Sequence, residues 1–187
     1  THDLHEGETT GMEPSEDDEI LEGLKQLRDT FGWWPWLRRR IAKSALPSGV
    51  LEDVSDASLE LLATTRPIKF NEMEYHLPRA EGLTALRKVV AKMDKRKDAF
   101  FPMEVRFIAP DPAWLSPFND GPRISIAIHA AVDERFDYFF TDFEPIFRSH
   151  GGRPHWGKWH SLQHSDLAAL YPDFLRFNEL RRDLDPD

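Results

Sequence analysis

The sequence contains no cysteine, which excludes disulfide bonds, thiolate nucleophiles and zinc sites built on sulfur. It also has no apolar run approaching the ~20 residues that a membrane-spanning helix needs. Basic residues are outnumbered by acidic ones, 24 against 33, and the net charge of −9 would repel the phosphates of a nucleic acid. We therefore expect no nucleic-acid partner, do not favour membrane association, and expect a cytoplasmic location.

What the sequence does contain is enough apolar material for a packed core. Apolar residues make up 40% of the 187 residues and include 13 phenylalanines and 6 tryptophans. This length and composition are typical of a globular protein with one core, alone or with an arm. Because the sequence begins with Thr1 rather than methionine, we expect a processed chain or a piece of a longer polypeptide.

The acidic excess is concentrated at the start of the chain. Residues 1–30 contain ten acidic and two basic side chains, a composition typical of a flexible arm. From about Glu16 a helix is predicted, because four apolar residues recur at helical spacing: Ile20, Leu21, Leu24 and Leu27. We assign residues 1–65 to an acidic arm with a helical, tryptophan-rich docking segment, and residues 66–187 to the globular domain.

Within this first region, the segment FGWWPWLRRR combines tryptophans with basic residues. It could be a docking patch for a membrane surface or a partner protein. We favour the interpretation that Trp33, Trp34 and Trp36 pack on the main body while the basic residues are solvated, since three tryptophans are costly to leave in water.

After Pro67 the sequence has the patterns of an α+β protein. The stretch KFNEMEYHLP alternates, with one predicted face made by Met73, Tyr75 and Leu77 and the other by Glu72, Glu74 and His76. Two further strands are predicted in FFPMEVRFIAP and RISIAIHAAV, and a short one in RPHWGKWH. The order of elements predicts a largely antiparallel sheet with helices packed on one face.

Three helical regions are predicted between and after these strands. The first is amphipathic, with apolar residues at Leu83, Leu86, Val90 and Met93. The second is capped by Asp133, carries a stripe of phenylalanines, is bent at Pro145 and stops at Gly151 and Gly152. The last helices lie in SDLAALYPDFLRFNELRRDL.

Two strands carry candidate site residues. Glu104 and Arg106 are two apart, so both project from one face of their strand. They are either a surface ion pair worth under ~1 kcal/mol or part of a pocket wall, and the apolar character of the rest of the strand favours the pocket. His129 is the lone polar side chain of an apolar run, and from this pattern we favour a hydrogen-bonded core histidine.

The stretch RPHWGKWH, if extended, would place His155, Gly157 and Trp159 on one side and Trp156, Lys158 and His160 on the other. Lys158 would then project between two large side chains and could donate to a substrate oxygen or stabilise a developing negative charge. The alternative is a metal site made by four histidines: His150, His155, His160 and His164. No HExxH motif accompanies them, so we expect no metal, and we do not favour Ser161 or Ser165 as nucleophiles because neither lies in a G-x-S-x-G elbow.

Four segments in this order resemble the C-terminal domain of the D-arabinono-1,4-lactone oxidase and L-gulonolactone oxidase family, with alditol oxidases as relatives. They are KFNEMEY, FPMEVRFIAPDPAWLSP, IFRSHGGRPHWGKWH and DLAALYPDFLRFNELRRDLDPD. The resemblance covers residues 66–187. It implies the cap domain of a vanillyl-alcohol-oxidase-type flavoenzyme, in which a separate N-terminal domain binds FAD.

The resemblance also implies roles for residues of the matching motifs. The E-x-R strand motif falls on Glu104 and Arg106, and the lysine of the H-W-x-K motif falls on Lys158; these three would be catalytic and grip the hydroxyls of a sugar lactone or polyol. His129 would line the same substrate pocket. By the same resemblance, the side chains that contact the flavin are His155, Trp156 and Lys158.

The glycine-rich FAD-binding half of such an enzyme is missing from the sequence. The resemblance therefore implies an FAD-binding subunit or fragment as partner, with residues 1–65 helping to dock it. The alternative that we keep open is a non-catalytic carbohydrate-binding or interaction module that retains the cap fold.

Overall fold

A computed structural model of the chain describes residues 17–45 and 69–186, which belong to two compact units. The first unit contains helix α1 (Asp17–Phe31) and helix α2 (Pro35–Ala45), and α1 confirms the helix predicted from about Glu16. The acidic stretch before Asp17 lies outside the described residues. The docking role that we assigned to residues 1–65 stays a prediction.

The three tryptophans of the first unit are exposed within that unit, and their packing on the main body stays a prediction. Trp33, Trp34 and Trp36 are 84%, 58% and 64% exposed. Trp33 and Trp34 lie in the tight turn between α1 and α2, where the amide of Trp34 donates to the carbonyl of Phe31 at 3.0 Å. A turn this short leaves the side chains at its tip without a surface to cover them within this unit.

The second unit is built on a four-stranded antiparallel sheet. Its strands are β1 (Phe70–Pro78), β2 (Glu104–Ile108), β3 (Arg123–Ala131) and β4 (Arg153–Pro154). Their order across the sheet is β2-β3-β1-β4, and every neighbouring pair is antiparallel. This confirms the predicted α+β class with its antiparallel sheet.

Helices join and flank these strands. They are α3 (Arg79–Met93), a π-helical turn (Phe139–Phe143), α4 (Glu144–Ser149), α5 (His164–Leu170) and α6 (Phe174–Leu184). Within residues 17–45 and 69–186, none of the helices combines the length and the apolar character that crossing a bilayer requires.

The phenylalanine-rich helix that we predicted after Asp133 forms as one helical run over residues 138–149, but it is not capped by Asp133 and is not a regular α-helix throughout. Asp133 lies in a preceding turn, and the helical segment divides into the π-helical turn and α4. Pro145 lies in the first turn of α4, directly after the π-helical turn, and a proline inside a helical run is expected to distort it. The predicted stop is confirmed: Gly151 has a φ of 68°, and its amide donates to the carbonyl of Arg148 at 3.1 Å.

The core lies between one face of the sheet and the helices. Met73, Tyr75 and Leu77 of β1 are fully buried there, as the alternation predicted. Tyr75 stacks on Phe147 of α4 with ring centroids 5.1 Å apart. The other fully buried core side chains come from β3, α3 and the π-helical segment: Ile124, Ile126, Ile128, Ala85, Val89, Phe139 and Phe143.

Helix α3 forms where predicted, but only part of the predicted stripe packs against the core, namely Leu86 and Met93. Leu83 and Val90 of the predicted stripe are 49% and 40% exposed, and the buried residues of α3 are Gly82, Ala85 and Val89. A Cβ at Gly82 would lie 2.7 Å from Cδ1 of Ile124. The helix therefore approaches the sheet through its small residues, because only they allow so short a distance.

Candidate functional site

The face of the sheet that points away from the core carries ionisable side chains. Directly paired residues of antiparallel strands project from the same face. One row across the sheet consists of Glu104, Ala127 and Glu74, the next of Arg106, Ser125 and His76, and a third of His129 and Glu72. We call this the charged face.

Arg106 links two carboxylates of the charged face. Its Nη2 forms an ion pair with Oε1 of Glu104 on the same strand, and its Nη1 lies 3.3 Å from Oε1 of Glu74 on β1. Glu104 and Arg106 have side chains 42% and 47% exposed, whereas Glu74 is 3% exposed. A surface pair alone would not involve a buried carboxylate, so the geometry favours the pocket-wall interpretation of Glu104 and Arg106.

Small side chains on β3 make this link possible. Arg106 is on β2 and Glu74 is on β1, so the guanidinium must pass over β3. The residues of β3 beneath it on the charged face are Ser125 and Ala127, both about 1% exposed. A larger side chain at Ala127 would occupy the space between the guanidinium and Glu74.

Lys158 is paired with a second buried carboxylate. Its Nζ forms an ion pair with Oε2 of Glu72, whose side chain is 8% exposed. The other oxygen of Glu72, Oε1, lies 3.6 Å from Nε2 of His129. Burial alone would raise the pKa of Glu72, but the interactions with His129 and Lys158 outweigh it and hold the pKa at about 2.

Glu74 differs from Glu72 although it lies two positions along the same strand. Burial raises the pKa of Glu74, and electrostatic interactions with His155 and Arg106 offset this only in part. Neighbouring carboxyl groups whose pKa values move in opposite directions are typical of functional sites. We did not identify Glu72 or Glu74 as site residues from the sequence. The pattern that could have indicated them is that Glu72, Glu74 and His76 share one face of a strand whose opposite face is apolar.

The segment that carries Lys158 is not extended beyond β4, so the predicted alternation of side chains from His155 to His160 is wrong. The amides of His155 and Trp159 donate to two carbonyls of β1, those of Glu74 and Glu72, each at 3.0 Å. These acceptors are two residues apart on β1, whereas the donors are four apart. The extra residues therefore bulge out as a turn, closed by the amide of Lys158 donating to the carbonyl of His155 at 3.2 Å.

Because of this turn, Lys158 is not held between two large side chains as predicted. Trp156 packs against Tyr171 in a tilted arrangement with ring centroids 4.8 Å apart, and donates through Nε1 to the carbonyl of Leu115 at 2.8 Å. The direction of Lys158 is instead determined by its ion pair with Glu72. Contact of His155, Trp156 and Lys158 with a flavin stays a prediction.

A buried glutamate anchors the chain just after the turn. Glu144, 2% exposed, accepts from the hydroxyl of Tyr75 at 2.5 Å and from the amide and hydroxyl of Ser161 at 2.7 and 2.6 Å. Ser161 is thus a structural anchor in this arrangement. The turn that carries Lys158 is held by β1 on one side and by Glu144 on the other, a connection that the sequence patterns did not reveal.

Three of the four histidines of the alternative metal site have separate environments. His150 contacts Glu81 and Lys88, each at 2.9 Å, and His164 packs edge-on against Phe174. His155 accepts at Nδ1 from the amide of Gly157 at 3.0 Å. In the part of the chain that the structure describes, no group of three or more histidine or carboxylate side chains is arranged to hold a metal ion.

The fold and the site define an α+β domain whose sheet packs against helices on one face and presents paired ions on the other. The sequence profile of D-arabinono-1,4-lactone oxidase matches residues 4–187, and the chain belongs to this family. The resemblance inferred from the sequence is thereby confirmed.

Three relatives illustrate the breadth of the match. The chain is 39% identical over 166 residues to an L-gulono-1,4-lactone dehydrogenase of Mycobacterium tuberculosis, covering 88% of this chain and 39% of the relative. It is 30% identical to the L-gulonolactone oxidase of Mus musculus over 72% of this chain and 32% of the relative. It is 35% identical to an alditol oxidase of a Streptomyces species over 62% of this chain and 28% of the relative. The chain thus spans less than half the length of each.

Proposed function

We propose that this chain supplies the substrate-binding part of an FAD-dependent oxidoreductase that oxidises a CH–OH group of a sugar lactone or polyol. The observation that carries the proposal is the charged face, where Arg106 and Lys158 are held by the buried carboxylates Glu74 and Glu72. The family and the names of the relatives, which are lactone and alditol oxidoreductases, support the substrate class.

The groups on the charged face suit a neutral, hydroxyl-rich ligand. A hydroxyl both donates and accepts hydrogen bonds. Arg106 and Lys158 provide only donors, while the carboxylate of Glu104 provides acceptors and is 42% exposed. One hydroxyl of a lactone or polyol can therefore accept hydrogen bonds from the cations while its neighbour donates one to Glu104. This pair of interactions sets the orientation of the carbon chain.

Oxidation of an alcohol removes a proton from oxygen and a hydride from carbon. FAD, when bound, supplies the acceptor for the hydride. The contribution of this chain is to hold the alcohol and to place positive charge beside the oxygen as its proton leaves. In the proposal Lys158 and Arg106 provide that charge, and Glu104 fixes a neighbouring hydroxyl.

The residues present fit the ring end of the cofactor by their chemistry. Lys158 is a cation whose side chain is 30% exposed at the margin of the charged face, and a cation there can complement the negative charge that a flavin ring gains on reduction. The sequence contains no G-x-G-x-x-G phosphate-binding motif. We therefore assign the rest of the cofactor to an FAD-binding domain or chain that works with this one.

The proposal is tested by replacing Lys158 with methionine in the assembled enzyme, meaning this chain together with its FAD-binding part. Flavin reduction is followed by absorbance without oxygen, with L-gulono-1,4-lactone, D-arabinono-1,4-lactone and a polyol as substrates. We expect the reduction rate to fall ~100- to 1,000-fold, because one stabilising donor is lost. The matched control is Lys88→Met, since Lys88 contacts His150 outside the charged face.

Two results would contradict the proposal. One is unchanged flavin reduction in Lys158→Met, and the other is failure of every lactone and polyol to reduce the flavin of the wild-type assembly. Lactone binding without any flavin reduction would favour the alternative, a carbohydrate-binding module that retains the fold.

A further inference from the structure

Glu72 uses its two oxygens for two different partners. Oε2 is paired with Lys158, while Oε1 lies 3.6 Å from Nε2 of His129. That second distance is longer than a hydrogen bond between nitrogen and oxygen. The carboxylate is 8% exposed and the histidine side chain 11% exposed, so both groups lie mostly but not fully shielded from solvent.

The other nitrogen of His129 determines which tautomer is present. Nδ1 lies 3.1 Å from the backbone carbonyl of Pro102, and a carbonyl can only accept. Nδ1 therefore carries a hydrogen, and in the neutral ring Nε2 presents its lone pair to Oε1 of Glu72. Two hydrogen-bond acceptors, Nε2 of His129 and Oε1 of Glu72, then face each other across 3.6 Å. A proton added to Nε2 would turn this contact into a charge-assisted interaction between a donor and an acceptor.

We propose that Nε2 of His129 takes the proton released by the reacting hydroxyl, and that Glu72 is a positioning residue that holds His129 and Lys158 for this step. The inference rests on the proposed function. The O–H bond of the substrate breaks and an N–H bond forms at Nε2. The hydrogen on carbon leaves with two electrons to the FAD of the assembled enzyme, and the alcohol becomes a carbonyl.

The other ionisable groups of the charged face are less suited to accept this proton. Arg106 retains its protons at all relevant pH values, and Lys158 is paired as a cation with Glu72. Glu104 and Glu74 both accept from Arg106. Glu72 itself is a weak base, because its ionised form is stabilised by the ion pair with Lys158.

The groups around His129 include an acceptor near each of its two ring nitrogens. From β1 it is faced by the carboxylate of Glu72 and by the edge of Phe70, with ring centroids 5.1 Å apart. From the segment before β2 it is faced by Phe101 and by the carbonyl of Pro102. Lys158 lies on the far side of Glu72, and Glu74 and Glu104 are the remaining carboxylates of this face.

The first test reads the tautomer of His129 in this chain and needs no turnover. Long-range proton–nitrogen NMR spectra of the nitrogen-15-labelled chain are recorded above neutral pH, and His129 is assigned from its absence in His129→Gln. We expect the hydrogen on Nδ1. A hydrogen on Nε2 would overturn the inference, because Nε2 could then not accept a proton.

The second test is chemical rescue in the assembled enzyme. We expect His129→Gly to lower kcat ~100-fold and added imidazole to restore much of it, because imidazole can occupy the space and accept the proton. His150→Gly is the matched control, since His150 contacts Glu81 and Lys88 outside the charged face. It should keep its activity with and without imidazole.

Glu72→Ala should also lose activity, but imidazole should not restore it, because Glu72 acts by positioning. If His129→Gly does not fold, His129→Gln replaces it, because the glutamine amide can still donate to the carbonyl of Pro102. A His129→Gln variant that folds but has a lowered kcat supports the inference. Full activity of either His129 variant, or a loss in His129→Gly that imidazole does not reverse, overturns it. Wild-type enzyme that oxidises none of the lactones or polyols would instead contradict the proposed function.

Discussion

The two faces of strand β1 are both buried, but they are buried by opposite means. On one face Met73, Tyr75 and Leu77 pack against helices and are 0% exposed. On the other, Glu72, Glu74 and His76 are 8%, 3% and 2% exposed and are compensated by ion pairs and hydrogen bonds. Apolar burial stabilises the fold directly. Buried ion pairs contribute little net stability because of their desolvation cost, so the charged face is better explained by chemistry than by folding.

The largest expected effect is on the apolar face. Phe147→Ala should lower the free energy of unfolding by ~3–5 kcal/mol, because Phe147 is fully buried and stacks on Tyr75. Urea unfolding followed by circular dichroism measures the change. The control is Phe107→Ala: Phe107 is 58% exposed, and its loss should cost less than about 1 kcal/mol. Equal losses in the two variants would contradict the assignment of the core.

The next effect is a pH dependence of stability that arises on the charged face. Burial, with help from His155 and the arginines Arg123 and Arg106, lowers the pKa of His76 from 6.5 to about 3. The unfolded chain therefore binds a proton below about pH 6.5 that the folded chain does not bind until about pH 3. The contribution of His76, a few kcal/mol in size, is present above pH 6.5 and is lost as the pH falls.

Glu72 and Glu74 act on this dependence with opposite signs. The lowered pKa of Glu72 adds a loss of stability as the pH falls from 4.5 to about 2. The raised pKa of Glu74 means that its contribution is present below pH 4.5 and is lost as the pH rises through the folded value. His76→Asn should flatten or invert the slope of the unfolding free energy below pH 6.5. An unchanged slope in urea titrations across this range would show that His76 is not buried in its neutral form.

A smaller effect is expected from Ala127, which lies between Arg106 and Glu74 on the charged face. Ala127→Val should separate these two side chains and raise KM for the lactone about tenfold, or ~1.4 kcal/mol. Ala127→Ser is the matched control, since serine is already accommodated at Ser125 in the next row. If the serine and valine variants have the same KM, the passage of Arg106 over β3 is unimportant for binding.

The smallest effect is expected at a partly exposed pair on the helical side. Lys92 Nζ lies 3.0 Å from Oδ1 of Asp142, with side chains 41% and 32% exposed. Lys92→Met should change the free energy of unfolding by less than about 1 kcal/mol, because solvent screens such pairs. The same urea titration measures it, and a loss comparable to that of Phe147→Ala would mean that the helical side depends on charge more than on packing.

Much of the second unit could be predicted from periodicity. The two-residue alternation of β1 gave the correct strand and the correct two faces, because a strand with one face in a core must alternate. Periodicity was only partly correct for α3, where Leu86 and Met93 pack against the core but Leu83 and Val90 are exposed. Hydrophobicity indicates which residues can be buried, but not which of them are. The sheet approaches α3 most closely at Gly82, and this close approach depends on the packing of two elements that are remote in sequence.

The candidate site was predicted in part. Glu104, Arg106, Lys158 and His129 all lie on or beside the charged face. Their partners Glu72 and Glu74 were seen only as the polar side of a strand, because a single strand does not show what lies across from it. The turn of residues 155–158 was missed for the same reason: it arises from hydrogen bonds to β1, about eighty residues earlier in the sequence.

By itself, the sequence determined the element types, the two faces of β1 and the family, since these depend on local spacing and short motifs. Only the tertiary structure decided that Glu72 is shared by Lys158 and His129, and that Arg106 reaches Glu74 over Ala127. These contacts join four separate segments of the chain. The electrostatic state of each group depends on the distances between them, and a linear sequence does not specify those distances.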